Sequence, residues 1–568
     1  MPEMTPEKRP HPTDAKAAPA KKRSKAAAER KTVAAAKTSG KVPRSVRPLR
    51  KKPGQPTPPK APEKPSHEAI LDAGIPKMQI VHIASEMAPV SKVGGLADVV
   101  FGLTHELAIR GNEVEIILPK YDNMRYEHIH GLCESFKDLW VPWYDGAIRC
   151  TVHFGFVYER KCFFIEPHSN DHFFNRGKYY GDHDDIWRFA FFSRAAIEFL
   201  YQSGKRPAII HCHDWHTALV PVFLWEIYQH LGMGNSRVCF TIHNFMHQGL
   251  CGTEILEATG LHRPDHFNRA DRLADPGHPG ALNLMKGGVV YSNFVTTVSP
   301  KHAFEAKNQG QGFGLEGTLH EHAAKYGGVL NGIDFDAWNP ADDPQIPAPF
   351  AVDTIAGKAK NKRALRSRFE LAQSDKPIVA HIGRLDPQKG LDLVRHAIFH
   401  CLERGAQFVL LGSSPERSIN ESFCRLKEEL RGHPDCHLEI GFHENLAHLI
   451  YAGADLMLVP SRFEPCGLTQ LIAMRYGTIP VVRSVGGLAD TVFDIDDSDR
   501  APEIRNGFVF EHDDQTGVEY ALDRAIVCYT ETPKIFRQLQ QTAMRADHSW
   551  NVPGQHYLNI YNYIREKT

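Results

Sequence analysis

The chain has 568 residues, too many for one hydrophobic core, so two or three domains are expected. No stretch of eighteen apolar residues occurs, which argues for a soluble protein; the 11 cysteines form no C-x-x-C pair, which argues against a disulfide framework or a zinc ribbon and fits a reducing, cytoplasmic setting. A net charge of +0 conceals a basic start: residues 1–65 carry 18 Lys and Arg against 5 Asp and Glu, while the rest carries 49 against 62.

Residues 1–75 form the first predicted segment, a disordered basic tail rich in Lys, Ala and Pro with too few apolar residues to build a core. It reads as a solvated tail, with a sequence-independent contact to nucleic acid or another anionic surface as the functional alternative. Glu3, Glu7 and the preference for Lys over Arg and Ser speak against a transit peptide, and the apolar centre of a secretory signal is missing. From Met78 short apolar runs alternate with amphipathic segments. Strands are predicted over 80–84, 114–118, 162–165, 208–212, 238–242 and 294–298; after Gly332 the rhythm restarts over 378–382, 408–411, 456–459, 479–482 and 508–510. Repeated β-α units in two blocks predict an α/β protein of two doubly wound, Rossmann-like domains, 76–330 and 331–545, facing a cleft that is the natural site. The glycine-punctuated stretch 325–340 reads as a hinge. A Tyr/Ile/Leu stripe over 555–567 predicts a terminal helix within 546–568.

Glycine turns directly after strands lie where open α/β sheets bind ligands. Lys92-Val-Gly-Gly-Leu-Ala-Asp98 leads into a helical run from Val99; its glycines allow close approach to a phosphate and Lys92 can neutralise charge there, although a tight turn with an exposed lysine accounts for it as well. It is neither a dinucleotide fingerprint nor a Walker loop. Gly383-Arg384-Leu-Asp-Pro-Gln-Lys389-Gly390 follows a strand and lets two cations face a pyrophosphate, where they would stabilise a departing diphosphate without a metal; an exposed pair at a loop is the weaker alternative. Ser461 to Asp490 strings together Glu464, the Gly467 turn, a helix beginning near Leu468, and Gly486-Gly487. Amides at such turns suit a phosphate; for either turn taken alone, Gly467 or Gly486-Gly487, a purely structural strand-to-helix turn is an equal alternative.

His211-Cys-His213-Asp214-Trp-His216 also ends a strand. Its H-x-H-D-x-H order differs from the H-x-H-x-D-H of binuclear metallohydrolases and no H-E-x-x-H occurs, so no metal is expected and its polar groups are read as facing sugar hydroxyls. His243, in Thr241-Ile-His-Asn244, ends the next strand near the same cleft, either as a site residue or behind one.

Seven motifs, in order from about Met78 to the C-terminus, resemble the bacterial glycogen synthase and plant starch synthase family: K-V-G-G-L-A-D, H-C-H-D-W-H, T-I-H-N, V-L-N-G-I-D, G-R-L-D-P-Q-K-G, S-R-F-E-P-C-G-L-T-Q and Y-G-T-I-P-V-V-R. These are ADP-glucose-dependent retaining glycosyltransferases of the GT-B fold. The resemblance implies glucosyl transfer from ADP-glucose to the non-reducing-end 4-OH of an α-1,4-glucan, with no metal or other cofactor. It implies that Arg384 and Lys389 bind the diphosphate and that Glu464 holds the glucose hydroxyls, with His243 beside the anomeric centre. Lys92, Gly94, Gly95, Asp98, Cys466, Gly467, Leu468 and Thr469 would line the donor, and Phe442 would stack on adenine. His213 and Asp214 would lie on the glucan side, and residues 546–568 would pack back on the N-terminal domain. Two positions depart from wider patterns: Ile472 stands where many GT-B enzymes carry a second glutamate, and Val93 where many bacterial members carry Thr. None of these motifs offers a convincing carboxylate nucleophile, so retention is expected to follow front-face attack, the leaving phosphate taking the acceptor's proton.

Overall fold

The computed structural model describes residues 77–441 and 443–567, which belong to one compact unit; the basic tail expected over residues 1–75 lies outside them. Its first half is built on β1 (Gln79–Ile83), β2 (Glu113–Pro119), β3 (His130–Trp143), β4 (Gly146–Val157), β5 (Arg160–Pro167), β6 (Ile209–His213) and β7 (Arg237–Ile242). A small ribbon of β8 (Leu250–Cys251) with β9 (Leu282–Asn283) precedes β10 (Phe294–Thr297) and β11 (Tyr326–Gly328). Apart from that ribbon these strands form one sheet in the order β11-β10-β7-β6-β1-β2-β5-β4-β3, parallel except where β4 meets β3 and β5. The second half holds β12 (Ile378–Arg384), β13 (Gln407–Ser413), β14 (Cys436–Ile440), β15 (Leu456–Val459), β16 (Ile479–Arg483) and β17 (Phe508–Phe510), all parallel in the order β14-β13-β12-β15-β16-β17.

The continuous apolar runs became central strands because helices cover both faces of a parallel sheet, so alternation is not needed. Ile80 to Ile83 and Leu456 to Val459 are buried throughout. Sequence pattern missed β3, β4, the β8 and β9 ribbon, β11 and β14. Most of β3 up to Leu139 is exposed or half-exposed, so it offers no apolar run, and the β3–β4 pairing contains register shifts. The expected hinge begins instead as an edge strand: Tyr326, Gly327 and Gly328 pair with Val295, Thr296 and Thr297.

Both sheets reverse their strand order at a defined place, between β1 and β6 in the first and between β12 and β15 in the second. Loops leaving the carboxyl ends of strands at such a point border a crevice. The Lys92 and His213-Asp214 segments leave the first, and the Arg384–Lys389 and Glu464–Thr469 segments the second.

The last helix, Asn551–Glu566, crosses back to the first sheet. Trp550, Tyr557, Tyr561 and Ile564 pack with Ile80, Leu103, Leu107 and Ile209 in a common apolar cluster. Arg110 fastens it by donating to Asn551 O at 2.6 Å and to Gln555 Oε1 at 2.8 Å. Among the described residues no helix is long and apolar enough to cross a membrane.

Candidate active site

At the second switch point two loops are stitched together. Asp386 caps the turn after β12 by accepting from Gln388 N at 3.0 Å, Gln388 Nε2 donates to Phe463 O at 3.1 Å, and Arg462 N donates to Gln388 O at 2.8 Å. This brings Lys389 Nζ within 2.5 Å of Glu464 Oε2, which also accepts from Ser461 Oγ at 2.7 Å. Glu464 is only 5 % exposed. Its Oε1 has no protein donor among the described residues, and the ammonium has two further protons to give. Arg384 ends β12 with an exposed guanidinium, unpaired among the described residues.

Beneath this pair lies His381, which read from sequence only as a strand residue. Its Nδ1 donates to Leu458 O at 3.0 Å, leaving Nε2 buried without a partner among the described residues. Burial, with Lys389 adding, lowers its pKa to about 4, so it stays neutral.

The Gly467 turn takes φ +74°, which favours glycine. The helix after it, Thr469–Arg475, has 7 residues and therefore little dipole, so any anion binding there rests on loop amides. Cys466 turns inward: its thiol is 4 % exposed and burial pushes it up to about 12. Thr469 Oγ1 lies 3.4 Å from Ile382 O. Phe442 lies outside the described residues.

Across the cleft, the Lys92 loop is organised by Glu86, a residue that no sequence motif marked. Its Oε2 accepts from Val93 N at 2.6 Å and Gly94 N at 3.2 Å, and burial raises its pKa to about 7. The Gly94 amide thus faces a carboxylate within its own loop. Gly95 faces the other half: a methyl there would sit 3.7 Å from Leu468 Cδ1. Lys92 Nζ pairs with Asp98 Oδ1 at 2.8 Å and approaches Glu444 Oε1 of the second half at 3.8 Å. Burial works against the Lys92 charge, but Asp98 outweighs it and leaves the pKa raised. Asp98 is therefore the counter-ion of Lys92, and burial raises its own pKa.

The histidine run divides by depth. His213, expected on the glucan side, is 0 % exposed and stands behind His243, its Nδ1 3.1 Å from His243 Nε2 and its Nε2 3.0 Å from His82 Nδ1. His211 is tied to Thr241 Oγ1 at 2.6 Å and to Tyr561 Oη of the last helix at 2.7 Å. Burial lowers His82 and His243 to about 3 and His211 and His213 well below the usual range. The wall is a column of neutral imidazoles, with only His243 reaching partly into the open. Ring nitrogens of His82, His211 and His213 come within 4.8 Å of one another, but the His82–His213 pair shares a hydrogen bond and both His211 nitrogens are satisfied. His216 points elsewhere, against Phe189 and Tyr180.

Asp214 sits between column and cleft at φ +57°, ψ 177°, a region nearly restricted to glycine. Such a conformation costs on the order of 1–3 kcal/mol and persists only where the surroundings impose it. Here Asp214 N donates to Thr241 O at 2.9 Å and Asp214 Oδ1 accepts from His243 N at 2.7 Å, so the strained residue fixes the His243 backbone. Burial raises its pKa to about 7, the charge of Glu86 adding a little.

Gly486-Gly487 proves structural. Gly486 N donates to Glu305 of the first half, at 3.1 and 3.0 Å to its two oxygens, and Lys301 N donates to Asp490 Oδ2 at 2.8 Å. A Cβ at Gly486 would lie 1.9 Å from Glu464 O, and one at Gly487 2.2 Å from Cys466 O. Bare backbone is required there because this turn presses on the chain that carries Glu464.

Switch-point loops of two doubly wound sheets face each other across one cleft, and this topology together with the matches to known proteins makes the chain a two-domain α/β glycosyltransferase of the GT-B fold. Residues 79–321 match the starch synthase catalytic domain and residues 363–539 the glycosyl transferases group 1. Glycogen synthase 2 of Methylococcus capsulatus is 67% identical over 487 residues, 86% of this chain and 100% of that protein. Glycogen synthase 1 of a Synechococcus species is 60% identical over 491 residues, with the same coverage of 86% and 100%. The catalytic domain of starch synthase IV from Arabidopsis thaliana, solved with ADP and acarbose bound, superposes with a TM-score of 0.84 at 45% identity, covering 86% of this chain and 100% of that one. The chain belongs to the glycogen and starch synthase family and is a glucosyltransferase of glycogen or starch synthesis.

Proposed function

We propose that the cleft moves the glucosyl unit of ADP-glucose to the 4-OH at the non-reducing end of an α-1,4-glucan with retention of configuration, as a cytoplasmic enzyme using no metal. The observation that carries this reading is the apposition of Gly95 and Leu468, at 3.7 Å from a Cβ position, which sets the Lys92 loop opposite the loop holding Glu464 and Lys389. A nucleotide sugar entering there would meet both loops at once. The ADP and acarbose bound to starch synthase IV of Arabidopsis support a nucleotide donor and an α-glucan acceptor.

In this reading Arg384 and Lys389 hold the diphosphate and stabilise its charge as the bond to the anomeric carbon breaks. Glu464 offers Oε1 to the glucose hydroxyls while Oε2 keeps Lys389 in place. Neutral His243 gives or takes a hydrogen bond at the sugar without repelling an oxocarbenium-like centre. Asp214 Oδ1 and Glu86 Oε2 each accept from backbone amides, which ties both carboxylates to the wall and supports front-face attack with the departing phosphate taking the acceptor's proton. The donor side is assigned to 331–545, the acceptor side to 76–330, and 546–568 to bracing the latter. Label transfer to glycogen from ADP-glucose and from UDP-glucose tests the proposal. Transfer from ADP-glucose is expected, preference for UDP-glucose would overturn the donor assignment, and transfer from neither would overturn the activity.

A further inference from the structure

Away from the cleft, two helices of the second half meet along a polar seam. Helix Leu391–Glu403, which starts just after Lys389-Gly390, presents His396 and His400; helix Gln515–Glu531 presents Glu519 and Asp523. Spacing of i, i+4 puts each pair on one face, and the pairs meet: His396 Nε2 is 2.7 Å from Glu519 Oε1 and His400 Nε2 is 2.8 Å from Asp523 Oδ1. Arg404 also holds Asp523.

Two His–carboxylate contacts on a surface would be the plain account, but it leaves a feature over. His400 turns Nε2 to Asp523, and its other ring nitrogen, Nδ1, faces Glu519 Oε1 at 3.9 Å, beyond hydrogen-bond distance. Two atoms of metal-ligating type thus face each other with no hydrogen bond joining them. Ligand atoms of His396, His400 and Glu519 all lie within 4.8 Å of one another. A tetrahedral ion bonded at about 2.1 Å holds two ligand atoms about 3.4 Å apart. The 3.9 Å contact would close, and the 2.7 Å contact open, by little more than about half an ångström, within reach of small side-chain rotations. The three side chains are 25%, 10% and 40% exposed, so an ion can enter and keep a water as fourth ligand.

We infer that His396, His400 and Glu519 form a binding site for zinc or a neighbouring first-row divalent cation, joining the two helices, with Asp523 as the carboxylate that orients His400. Two imidazoles with one carboxylate suit such ions better than calcium or magnesium, and a His that donates its other N–H to a carboxylate is the usual support of a metal ligand. The site goes beyond glucosyl transfer and does not depend on it.

Chelator-stripped full-length protein, titrated with Zn2+ against a chromophoric chelator and separately with Co2+, is to be compared with His396→Ala/His400→Ala and with Asp523→Asn. The wild type should take up one equivalent more than the double variant and show visible Co2+ bands that the double variant lacks. Asp523→Asn should keep the stoichiometry but bind Zn2+ roughly tenfold or more weakly; its glucosyl transfer rate reports that it is folded. Zn2+ stoichiometry of the wild type indistinguishable from that of the double variant, or, should the double variant not fold, a Zn2+ affinity of the wild type indistinguishable from that of Asp523→Asn, overturns the inference.

Discussion

On the second-sheet wall of the cleft Lys389 and Glu464 touch at 2.5 Å and Arg384 projects freely, whereas on the first-sheet wall burial keeps His213 and His243 neutral and lifts Asp214 and Glu86 to about 7. One wall is built from fixed cations and a buried acid. Apart from the Lys92–Asp98 pair, the other avoids charge and relies on hydrogen bonds in a dry column that the last helix braces through Tyr561. A reaction whose negative charge grows on a leaving diphosphate needs permanent cations there, while a cationic sugar centre is better served by neutral groups. The difference teaches that charge at this site is divided between the halves.

The largest test of that division lies in the charged wall. Lys389→Ala, Arg384→Ala and Glu464→Ala should each lower kcat about 100- to 1000-fold, since one donor to developing charge is commonly worth about 3 kcal/mol; near-normal rates for all three would break the assignment. On the neutral wall His213→Ala should lower kcat about tenfold with little change in the KM for the nucleotide sugar, the effect of losing one buried hydrogen bond that orients His243. An unchanged kcat would show that the column does not position His243.

The pH dependence sharpens the contrast further. Glu86 and Asp214 have folded pKa values of about 7, above the ordinary 4.5 and 3.8, so between about pH 4 and 7 the folded protein holds more protons than the unfolded chain. Their contribution to stability therefore falls as pH rises through that window and levels off above it. Glu86→Gln should raise Tm relative to the wild type at pH 8 and have less effect at pH 4; an equal shift at both would remove the titration argument. Glu305→Ala, which strips the cap from the Gly486 amide between the halves, should destabilise by roughly 1 kcal/mol, read as a lower Tm. Smallest of all, a chain lacking residues 1–75 should transfer glucose at the full-length rate, and a clear loss would give the basic tail a role in catalysis.

Much of the fold was legible because apolar runs of four or five residues closed by glycine or charge are what buried parallel strands require. The runs at 80–84, 378–382 and 456–459 all became switch-point strands. β3 was not legible, because an exposed antiparallel strand needs only a neighbour to pair with and leaves no apolar signature over His130 to Lys137. At the site, Arg384, Lys389 and Glu464 were recognisable as charged residues just past strand ends. Glu86 and His381 were not, since an acid in a loop and a histidine within a strand are common, and only their depth makes them unusual.

The sequence by itself determined the two α/β blocks, the loops that hold the chemistry and the family, because these rest on local periodicity and on short motifs whose order survives without coordinates. Tertiary structure alone decided how each polar group is used. Gly486 looked as fit for a phosphate as Gly467 did, yet its amide goes to Glu305, 181 residues away. His213 and His243 looked alike at two strand ends, yet one is sealed behind the other. A donor's partner depends on which distant group packing brings within about 3 Å, and burial then sets whether that group is charged; neither quantity is written in the residues next to it.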